Sequence, residues 1–345
     1  MSDLQPMIEV SNVIKDFRSK TDLAERLAIR VGLAREPGTV HALDDVSLTI
    51  SRGEVVGLVG ESGCGKSTFG RVVAGMLPAT SGVVRRNGRD ITALKGAEAR
   101  ALRLATQIIF QDPMSSLNPR KKVLDIIGEA PVFHGLVPRS GMRALVEDLM
   151  AKVGLDPAMT NRYPHQFSGG QRQRIGIARA LAVNPDFLIC DESISALDVS
   201  IQAQVINLLV RLREELSLTL LFISHDLSVV RYISDRVVIM YLGRVVESAP
   251  VEQIFGGARH PYTQALLAEI PRIDRRGHHF ATVKGEIPSP MHPPQGCHFH
   301  PRCPFAMERC RIERPALNHA SPDHTVACHL DDGFGRLDQN AGATV

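Results

Sequence analysis

A glycine-rich stretch in the first quarter of the sequence carries residue types that can hold a phosphate chain. It matches the pattern G-x-x-x-x-G-K-[ST] from Gly60 to Ser67, and Thr68 follows. In such a loop, backbone N–H groups can point at phosphate oxygens, the lysine can neutralise charge on the β- and γ-phosphates, and the hydroxyl can ligate Mg²⁺. An apolar run precedes the stretch, which favours this interpretation over a chance glycine-rich turn. The predicted nucleotide site comprises Gly60, Glu61, Ser62, Gly63, Cys64, Gly65, Lys66, Ser67 and Thr68.

Two adjacent carboxylates follow a second apolar run. Residues 187–190 are apolar and are followed by Asp191 and Glu192. A buried strand of this kind delivers acids to the C-terminal edge of a sheet, where ligands bind in open α/β folds. Asp191 is then placed to hold Mg²⁺ through water, and Glu192 to polarise an attacking water molecule. Without the phosphate loop, a helix start with two acidic residues would explain the pair equally well.

The elements that must position these residues are visible in the same sequence. Residues 8–13 alternate between apolar and polar types, as in a half-buried strand, and the apolar run at 54–59 predicts the strand that leads into the phosphate loop. Between residues 168 and 241, helical patterns alternate with buried strands, which is typical of a parallel α/β sheet. The clearest helix is predicted over 201–216. Apolar spacing within residues 18–40 predicts a short surface helix around positions 23–31, without an assigned role.

Four further motifs occur in a characteristic order. They are Gln111, Phe-Ser-Gly-Gly-Gln-Arg-Gln-Arg at 167–174, Ser-Ala-Leu-Asp at 195–198 and Ser-His-Asp at 224–226. Together with the phosphate loop and the carboxylate pair, they make the sequence resemble the ABC-type ATPases from residue 8 to about 270. The resemblance implies an α/β fold with a P-loop nucleotide-binding domain. That domain has a mixed sheet core, an antiparallel β subdomain and a helical subdomain at about 112–180.

The resemblance also implies a role for each matching residue. ABC-type ATPases work as head-to-tail dimers, so Ser168 and Gly169 of one chain are expected to cover the γ-phosphate held by Lys66 of the other. A hydroxyl, bare glycine N–H groups and a helix dipole together suit an anion. Phe17 is expected to stack on adenine, with an ordinary core or edge aromatic as the alternative. The expected catalytic residues are Glu192, His225, Gln111 and Lys66. The expected Mg²⁺ ligands are Ser67, Gln111 and Asp191. Gly170, Gln171 and Asp198 are expected to contact ATP, and Asp198 would also contact the opposite subunit.

The composition changes after residue 270, where prolines and cysteines become frequent. Stretches at 260–263 and within 285–304 resemble the C-terminal extension of the oligopeptide/dipeptide branch of ABC importers. The sequence therefore predicts a nucleotide-binding domain over 1–270, a small loop-rich, Cys-containing C-terminal domain over 271–332, and a disordered tail over 333–345.

Four cysteines of this extension, at Cys297, Cys303, Cys310 and Cys328, are spaced C-x5-C-x6-C-x17-C. Metal–ligand bonds can replace the core that a Pro-rich segment lacks. Four thiolates suit an iron–sulfur cluster, and some subunits of this branch carry a 4Fe–4S cluster, so we expect one here. Zinc is an alternative, although structural zinc usually has a short C-x2–4-C pair. Unligated thiols are the third interpretation.

Composition and charge restrict the class of protein. The 345 residues carry a net charge of +3 and are 44% hydrophobic, as expected for a globular protein of two domains. The small net charge argues against a dedicated nucleic-acid binder. No apolar run reaches the length of about 18 residues that a membrane-spanning helix needs, and the N-terminus has no secretory pattern. We therefore expect the six cysteines to lie in a reducing cytosol.

Taken with the resemblance, these features predict an ATP-hydrolysing subunit of an importer for di- or oligopeptides or related small solutes, using ATP and Mg²⁺. The expected partners are a second ATP-binding subunit (a copy or a related chain), two transmembrane permease subunits and, indirectly, an extracytoplasmic solute-binding protein. Nucleic acid is not expected. The protein would sit on the cytoplasmic face of the inner membrane, held there by the permease. A soluble ABC ATPase of DNA repair or translation is the alternative, but such proteins usually carry tandem units, coiled coils or basic inserts.

Overall fold

The computed structural model describes residues 6–18, 38–112, 116–195, 197–270 and 285–331. The short helix predicted around positions 23–31 and the tail predicted over 333–345 lie outside these ranges. Within them, no helix is long and apolar enough to pass through a bilayer.

Strands and helices alternate along most of the described chain. The strands are β1 (Pro6–Arg18), β2 (Thr39–Ser51), β3 (Val55–Val59), β4 (Ser81–Arg86), β5 (Arg89–Asp90), β6 (Thr106–Ile109), β7 (Phe187–Asp191), β8 (Thr219–Ser224), β9 (Arg236–Tyr241), β10 (Arg244–Pro250), β11 (Asn318–Ser321) and β12 (His324–Val326). The α-helices are α1 (Lys66–Val73), α2 (Gly96–Ala105), α3 (Val123–Phe133), α4 (Met142–Lys152), α5 (Gly169–Leu181), α6 (Val199–Leu216), α7 (Leu227–Ile233), α8 (Val251–Gly257), α9 (Pro261–Ala268) and α10 (Glu308–Ile312). Short 3-10 helices lie at Arg139–Gly141, Pro157–Asn161, Pro164–Gln166 and His300–Arg302.

The smaller sheet is antiparallel, with strand order β2-β1-β4-β5. In its middle strand, Val10 lies opposite Leu48 of β2 and Val84 of β4. All three side chains are buried, together with Phe69 and Val72 of α1 in one cluster. Alternating side chains in β1 thus give this sheet one apolar face, which covers one side of α1.

The larger sheet has the order β11-β12-β10-β9-β3-β8-β7-β6. Its strands β9, β3, β8, β7 and β6 are parallel neighbours. Strands β3, β7 and β8 are buried along their whole length, as expected for continuous apolar runs in a parallel sheet. Because parallel strands end at one edge, the phosphate loop after β3, Glu192 after β7 and His225 after β8 are brought together there. The two sheets confirm the predicted α/β class.

Helices α3, α4 and α5 follow β6 and lie in the region predicted as a helical subdomain, at about 112–180. Helix α6 begins at Val199, two residues before the predicted start, and ends at Leu216 as predicted. Its side chains Val205, Leu209 and Leu212 are buried and face the core. Each such side chain contributes about 2 kcal/mol of burial free energy. The extent of a helical subdomain at 112–180 stays a prediction.

Part of the C-terminal extension is built into the larger sheet, because β12 pairs with β10. Next to this strand pair, the fully buried Glu247 of β10 accepts hydrogen bonds from the backbone amides of Arg259 (2.7 Å) and His260 (3.1 Å). Its Oε1 also lies 2.7 Å from His324 Nε2 of β12. Burial alone would raise the pKa of Glu247, but these hydrogen bonds, led by the one from His324, lower it below its ordinary value. The domain boundary at 270 stays a prediction.

Candidate functional site

The phosphate loop connects the end of β3 to the first turn of α1. Gly63 and Gly65 have φ angles of 81° and 106°, in the region that favours glycine. A Cβ atom on Gly65 would lie only 2.3 Å from the carbonyl oxygen of Ala42. Both the backbone conformation and the lack of space therefore require glycine at this position. The result is a tightly curled loop at a helix N-terminus, where backbone N–H groups favour an anion.

Lys66 is held inside the loop. Its side chain is 4% exposed, and Nζ donates to the carbonyl oxygens of Gly60 (2.7 Å) and Glu61 (3.0 Å). Nζ also lies 3.8 Å from Glu192 Oε1. The ammonium group is thus desolvated and positioned by the loop, so that it can neutralise phosphate charge without a large rearrangement.

Ser67 and Asp191 join the loop to the end of β7. The Ser67 hydroxyl donates to Asp191 Oδ1 at 2.7 Å, and Asp191 is buried. A hydroxyl and a carboxylate are the oxygen ligands that Mg²⁺ prefers beside substrate phosphates. These two members of the predicted Mg²⁺ site therefore fit the ion, whereas the amide of Gln111 contacts Glu192 instead.

Glu192 has the predicted catalytic residues around its carboxylate. Its backbone is in the left-handed region (φ 47°), and its N–H donates to the carbonyl of Ile223 in β8 at 3.0 Å. Gln111 Nε2 donates to Oε2 at 2.9 Å, while Lys66 Nζ and His225 Nδ1 each lie 3.8 Å from Oε1. The Glu192 side chain is 14% exposed and that of His225 is 55% exposed. The arrangement offers a carboxylate base next to a solvent-accessible imidazole, on the side of the loop that holds Lys66.

The Ser-Gly-Gly segment lies at the start of α5. Ser168 is the N-cap: its hydroxyl accepts from the N–H of Gln171 (3.3 Å), and Gln171 Oε1 accepts from the N–H of Ser168 (3.0 Å). Ser168 and Gly169 are exposed, while Gly170 is buried against Ile201 of α6. The tip of α5 therefore presents a hydroxyl and a bare glycine to the surface, as an anion contact across a dimer requires.

Two other predicted contacts lie at the surface. Phe17 is 40% exposed near the end of β1, and Lys15 Nζ lies 5.1 Å from its ring centroid. An exposed aromatic side chain is compatible with stacking on adenine. Asp198 is exposed at the N-cap of α6, and its carbonyl accepts from the N–H of Gln202 at 2.8 Å. The roles of both residues stay predictions.

The four cysteines of the extension approach one another without forming a metal site. Burial raises the pKa of Cys328 to about 12, with smaller contributions from its neighbours Cys297, Cys303 and Cys310. Burial, with a smaller contribution from its cysteine neighbours, raises the pKa of Cys303 to about 11. Across the described ranges, however, no group of three or more His, Cys, Asp or Glu residues has an arrangement that could hold a metal ion. The extension therefore supplies the four sulfur atoms that an iron–sulfur cluster needs, but the described residues do not hold them in a metal-binding arrangement.

Two residues that contact the phosphate loop were not predicted from the sequence. Tyr262 of α9 is fully buried, and its Oη accepts from the N–H of Glu61 at 2.9 Å. Burial raises the pKa of Tyr262, so the phenol stays neutral. Arg302 of the extension forms an ion pair with the Glu61 side chain. Both lie in the stretches at 260–263 and 285–304 that resemble the importer extension, so this resemblance was the available signal.

Comparisons with known proteins agree with this geometry. A family model described as "ABC transporter" matches residues 43–195, and one described as "Oligopeptide/dipeptide transporter, C-terminal region" matches residues 246–310. The Oligopeptide transport ATP-binding protein AppF of Bacillus subtilis is 51% identical over 314 residues, which cover 90% of this chain and 95% of that protein. The Oligopeptide transport ATP-binding protein OppF of Salmonella typhimurium is 50% identical over 296 residues, covering 85% and 88%.

Two solved structures resemble the fold. A dimeric ATP-binding cassette in a post-hydrolysis state, bound to ADP and Pi, aligns with a TM-score of 0.60 and 27% identity, covering 71% of this chain and 99% of that chain. The cbiO1 protein from Clostridium perfringens, part of the transporter complex cbiONQ, aligns with a TM-score of 0.59 and 25% identity, covering 73% and 91%.

Proposed function

The chain belongs to the family of ABC transporter ATP-binding proteins, and we propose that it hydrolyses ATP to energise an importer for oligopeptides or related small solutes. The observation that carries the ATPase proposal is the convergence of Lys66, Gln111 and His225 on Glu192, beside the Ser67–Asp191 pair. The oligopeptide proposal is supported by the matched C-terminal region and by the two relatives, which are named as oligopeptide transport proteins.

For hydrolysis, the residues of this chain supply positioning and charge. Lys66 lies inside the phosphate loop, where its ammonium group neutralises part of the charge of the β- and γ-phosphates. Ser67 and Asp191 would hold Mg²⁺, which neutralises phosphate charge when bound. Glu192 accepts the proton of the attacking water, while His225 and Gln111 orient that water and the γ-phosphate.

A second ATP-binding subunit completes the proposed site. Ser168 and Gly169 are exposed at the tip of α5, where the helix dipole favours an anion. We propose that this tip covers the γ-phosphate bound by the opposite subunit, with Gly170, Gln171 and Asp198 beside it. The aligned dimeric cassette supports such a pairing.

Transport requires further partners. We propose that two transmembrane permease subunits hold the chain on the cytoplasmic face of the inner membrane, and that an extracytoplasmic solute-binding protein delivers the solute to them. No role for nucleic acid is proposed, because the net charge is only +3.

The test is affinity purification of the intact chain from its native membranes in mild detergent, followed by identification of its partners and measurement of ATP hydrolysis. Two co-purifying permease subunits and hydrolysis stimulated by a peptide-loaded binding protein are expected. A Lys66→Ala variant is the control: it should keep its partners and lose hydrolysis. Recovery of the chain without any membrane protein would contradict the transport proposal.

For the extension, we propose that Cys297, Cys303, Cys310 and Cys328 bind a 4Fe–4S cluster, with zinc or unligated thiols as the alternatives, although the described residues do not place the four sulfur atoms in a metal-binding arrangement. The donor set supports this proposal, because four thiolates are the usual ligands of an iron–sulfur cluster. Anaerobic purification followed by metal analysis and visible absorption spectroscopy tests it. Iron with reductant-sensitive absorption supports a cluster, stoichiometric zinc supports the zinc alternative, and metal-free protein contradicts both and leaves unligated thiols.

A further inference from the structure

Arg302 connects the C-terminal extension to the phosphate loop. Its Nη1 donates to Glu61 Oε2 at 2.6 Å, and its Nη2 donates to Glu61 Oε1 at 2.9 Å. The Arg302 side chain is 4% exposed and that of Glu61 is 24% exposed. Two parallel charge-assisted hydrogen bonds of this kind need the planar fork of a guanidinium group.

The position of Arg302 is determined by aromatic packing. It ends the 3-10 helix His300–Arg302, where its N–H donates to the carbonyl of Phe299 at 3.0 Å. Its guanidinium carbon lies 5.9 Å from the ring centroid of Tyr241, and the Tyr241 and Phe299 rings meet edge to face at 5.3 Å. Tyr262, which bonds the loop amide of Glu61, packs on the same two rings. The guanidinium is therefore held in place by contacts within this chain.

Glu61 links Arg302 to the catalytic lysine. The Glu61 side chain binds Arg302, its N–H donates to Tyr262, and its carbonyl accepts from Lys66 Nζ at 3.0 Å. Each polar group of this loop residue is thereby satisfied by a partner. Without Arg302, a carboxylate would stand unpaired within a loop built to bind anions, where it would repel a triphosphate and attract Lys66.

We propose that Arg302 is a positioning residue of the nucleotide site, which pairs the Glu61 carboxylate and so keeps the phosphate loop shaped and electrostatically suited for MgATP. This inference rests on the proposed function, because it assumes that the loop binds MgATP. Its consequence is that nucleotide binding depends on the C-terminal extension, which lies outside the region matched by the ABC transporter family model.

The experiment measures the Kd of MgATP for the intact chain carrying Arg302→Met, which keeps the packing volume between the rings and removes the charge. We expect the Kd to rise about tenfold, the effect of one partly desolvated carboxylate on a nearby anion. Adding Glu61→Gln to Arg302→Met is expected to recover most of the loss, because the unpaired charge is then gone. A role limited to packing of the extension predicts no such recovery.

Arg314→Met is the matched control. Arg314 also joins the extension to the N-terminal part, but its partners Asp44 (3.8 Å) and Asp45 (3.1 Å) lie on β2 rather than in the loop. The Kd of MgATP for the Arg314→Met variant should equal that of the wild type. If Arg302→Met does not fold, as judged by circular dichroism, Arg302→Lys provides the measurement, with a Kd rise of about threefold expected for a cation without the fork.

The outcomes are distinguishable. An unchanged Kd in the folded Arg302 variant, or no recovery in the double variant, overturns the role of Arg302 while leaving the proposed function intact. Failure of the wild-type chain itself to bind MgATP overturns the proposed function instead.

Discussion

Replacing Glu192 with glutamine separates nucleotide binding from hydrolysis. The substitution preserves size and leaves an amide oxygen that can still accept from Gln111 Nε2, which lies 2.9 Å from the present carboxylate. What it removes is one negative charge and the ability to take a proton from water. Because the backbone of Glu192 is anchored by its N–H bond to Ile223, the loop should keep its conformation.

The two effects have different sizes. Loss of a positioned general base lowers turnover by about 10²- to 10⁴-fold, which corresponds to about 3–5 kcal/mol in activation free energy. Binding changes in the opposite direction. The carboxylate lies 3.8 Å from Lys66 Nζ, and at an effective dielectric constant of about 20 that attraction is about 4 kcal/mol, which competes with the phosphates for the lysine. The variant should therefore bind MgATP at least as tightly as the wild type.

The assay is phosphate release as a function of MgATP concentration, together with the Kd of MgATP for the same preparation. Glu214→Gln, at an exposed position of α6, is the control and should leave both quantities unchanged. Turnover of Glu192→Gln within about threefold of the wild type would refute the assignment of Glu192 as the base. A large loss of MgATP affinity would refute the charge argument.

Three further predictions follow from single contacts. Gly65→Ala should abolish measurable MgATP binding in calorimetry, because φ 106° and a Cβ 2.3 Å from the Ala42 carbonyl force the loop to open; an unchanged Kd would contradict this. Glu247→Gln should lower the free energy of unfolding at pH 7 by about 3 kcal/mol, because it removes the buried carboxylate that bonds His324. Because the folded-state pKa of Glu247 is lowered, its contribution is fully present above the ordinary value of 4.5 and is lost as the pH falls through the folded pKa. Urea unfolding of the wild type and of Glu247→Gln between pH 7 and pH 3 should therefore show that their difference in unfolding free energy becomes smaller in acid. A difference that does not change with pH would contradict this role of Glu247. Ser168→Ala should lower the stability of α5 by about 1 kcal/mol, because the helix loses its N-cap. In a chain that also carries Glu192→Gln, the same substitution should abolish the MgATP-dependent dimer seen by size-exclusion chromatography. Dimers of normal stability would contradict the contact between Ser168 and the γ-phosphate.

Local patterns predicted much of the site because its chemistry lies at the ends of buried strands. The apolar runs before Gly60 and Asp191 predicted strands of a parallel sheet, and parallel strands end at one edge. The contacts of Lys66 and Asp191 at that edge are those expected of neighbours brought together by the sheet. The bond from Gln111 to Glu192 was not predictable, because it depends on the conformation of a loop after β6.

The extension shows where local patterns are insufficient. Its prolines and cysteines predicted a loop-rich segment, but nothing in their spacing indicated that β12 would join the main sheet beside β10. The Arg302–Glu61 pair likewise joins residues 241 positions apart. Such a contact forms only because burial of Phe299, Tyr241 and Tyr262 brings the extension against the end of β9.

The amino-acid sequence by itself determined the chemical groups of the nucleotide site and the strands and helices that carry them, since glycine conformations, apolar periodicity and helix caps act over a few residues. Only the tertiary structure decided what surrounds those groups. The pairing of Glu61 with Arg302 and of Glu247 with His324 depends on burial between segments distant in sequence, and buried charges are stable only where such packing supplies a partner for them.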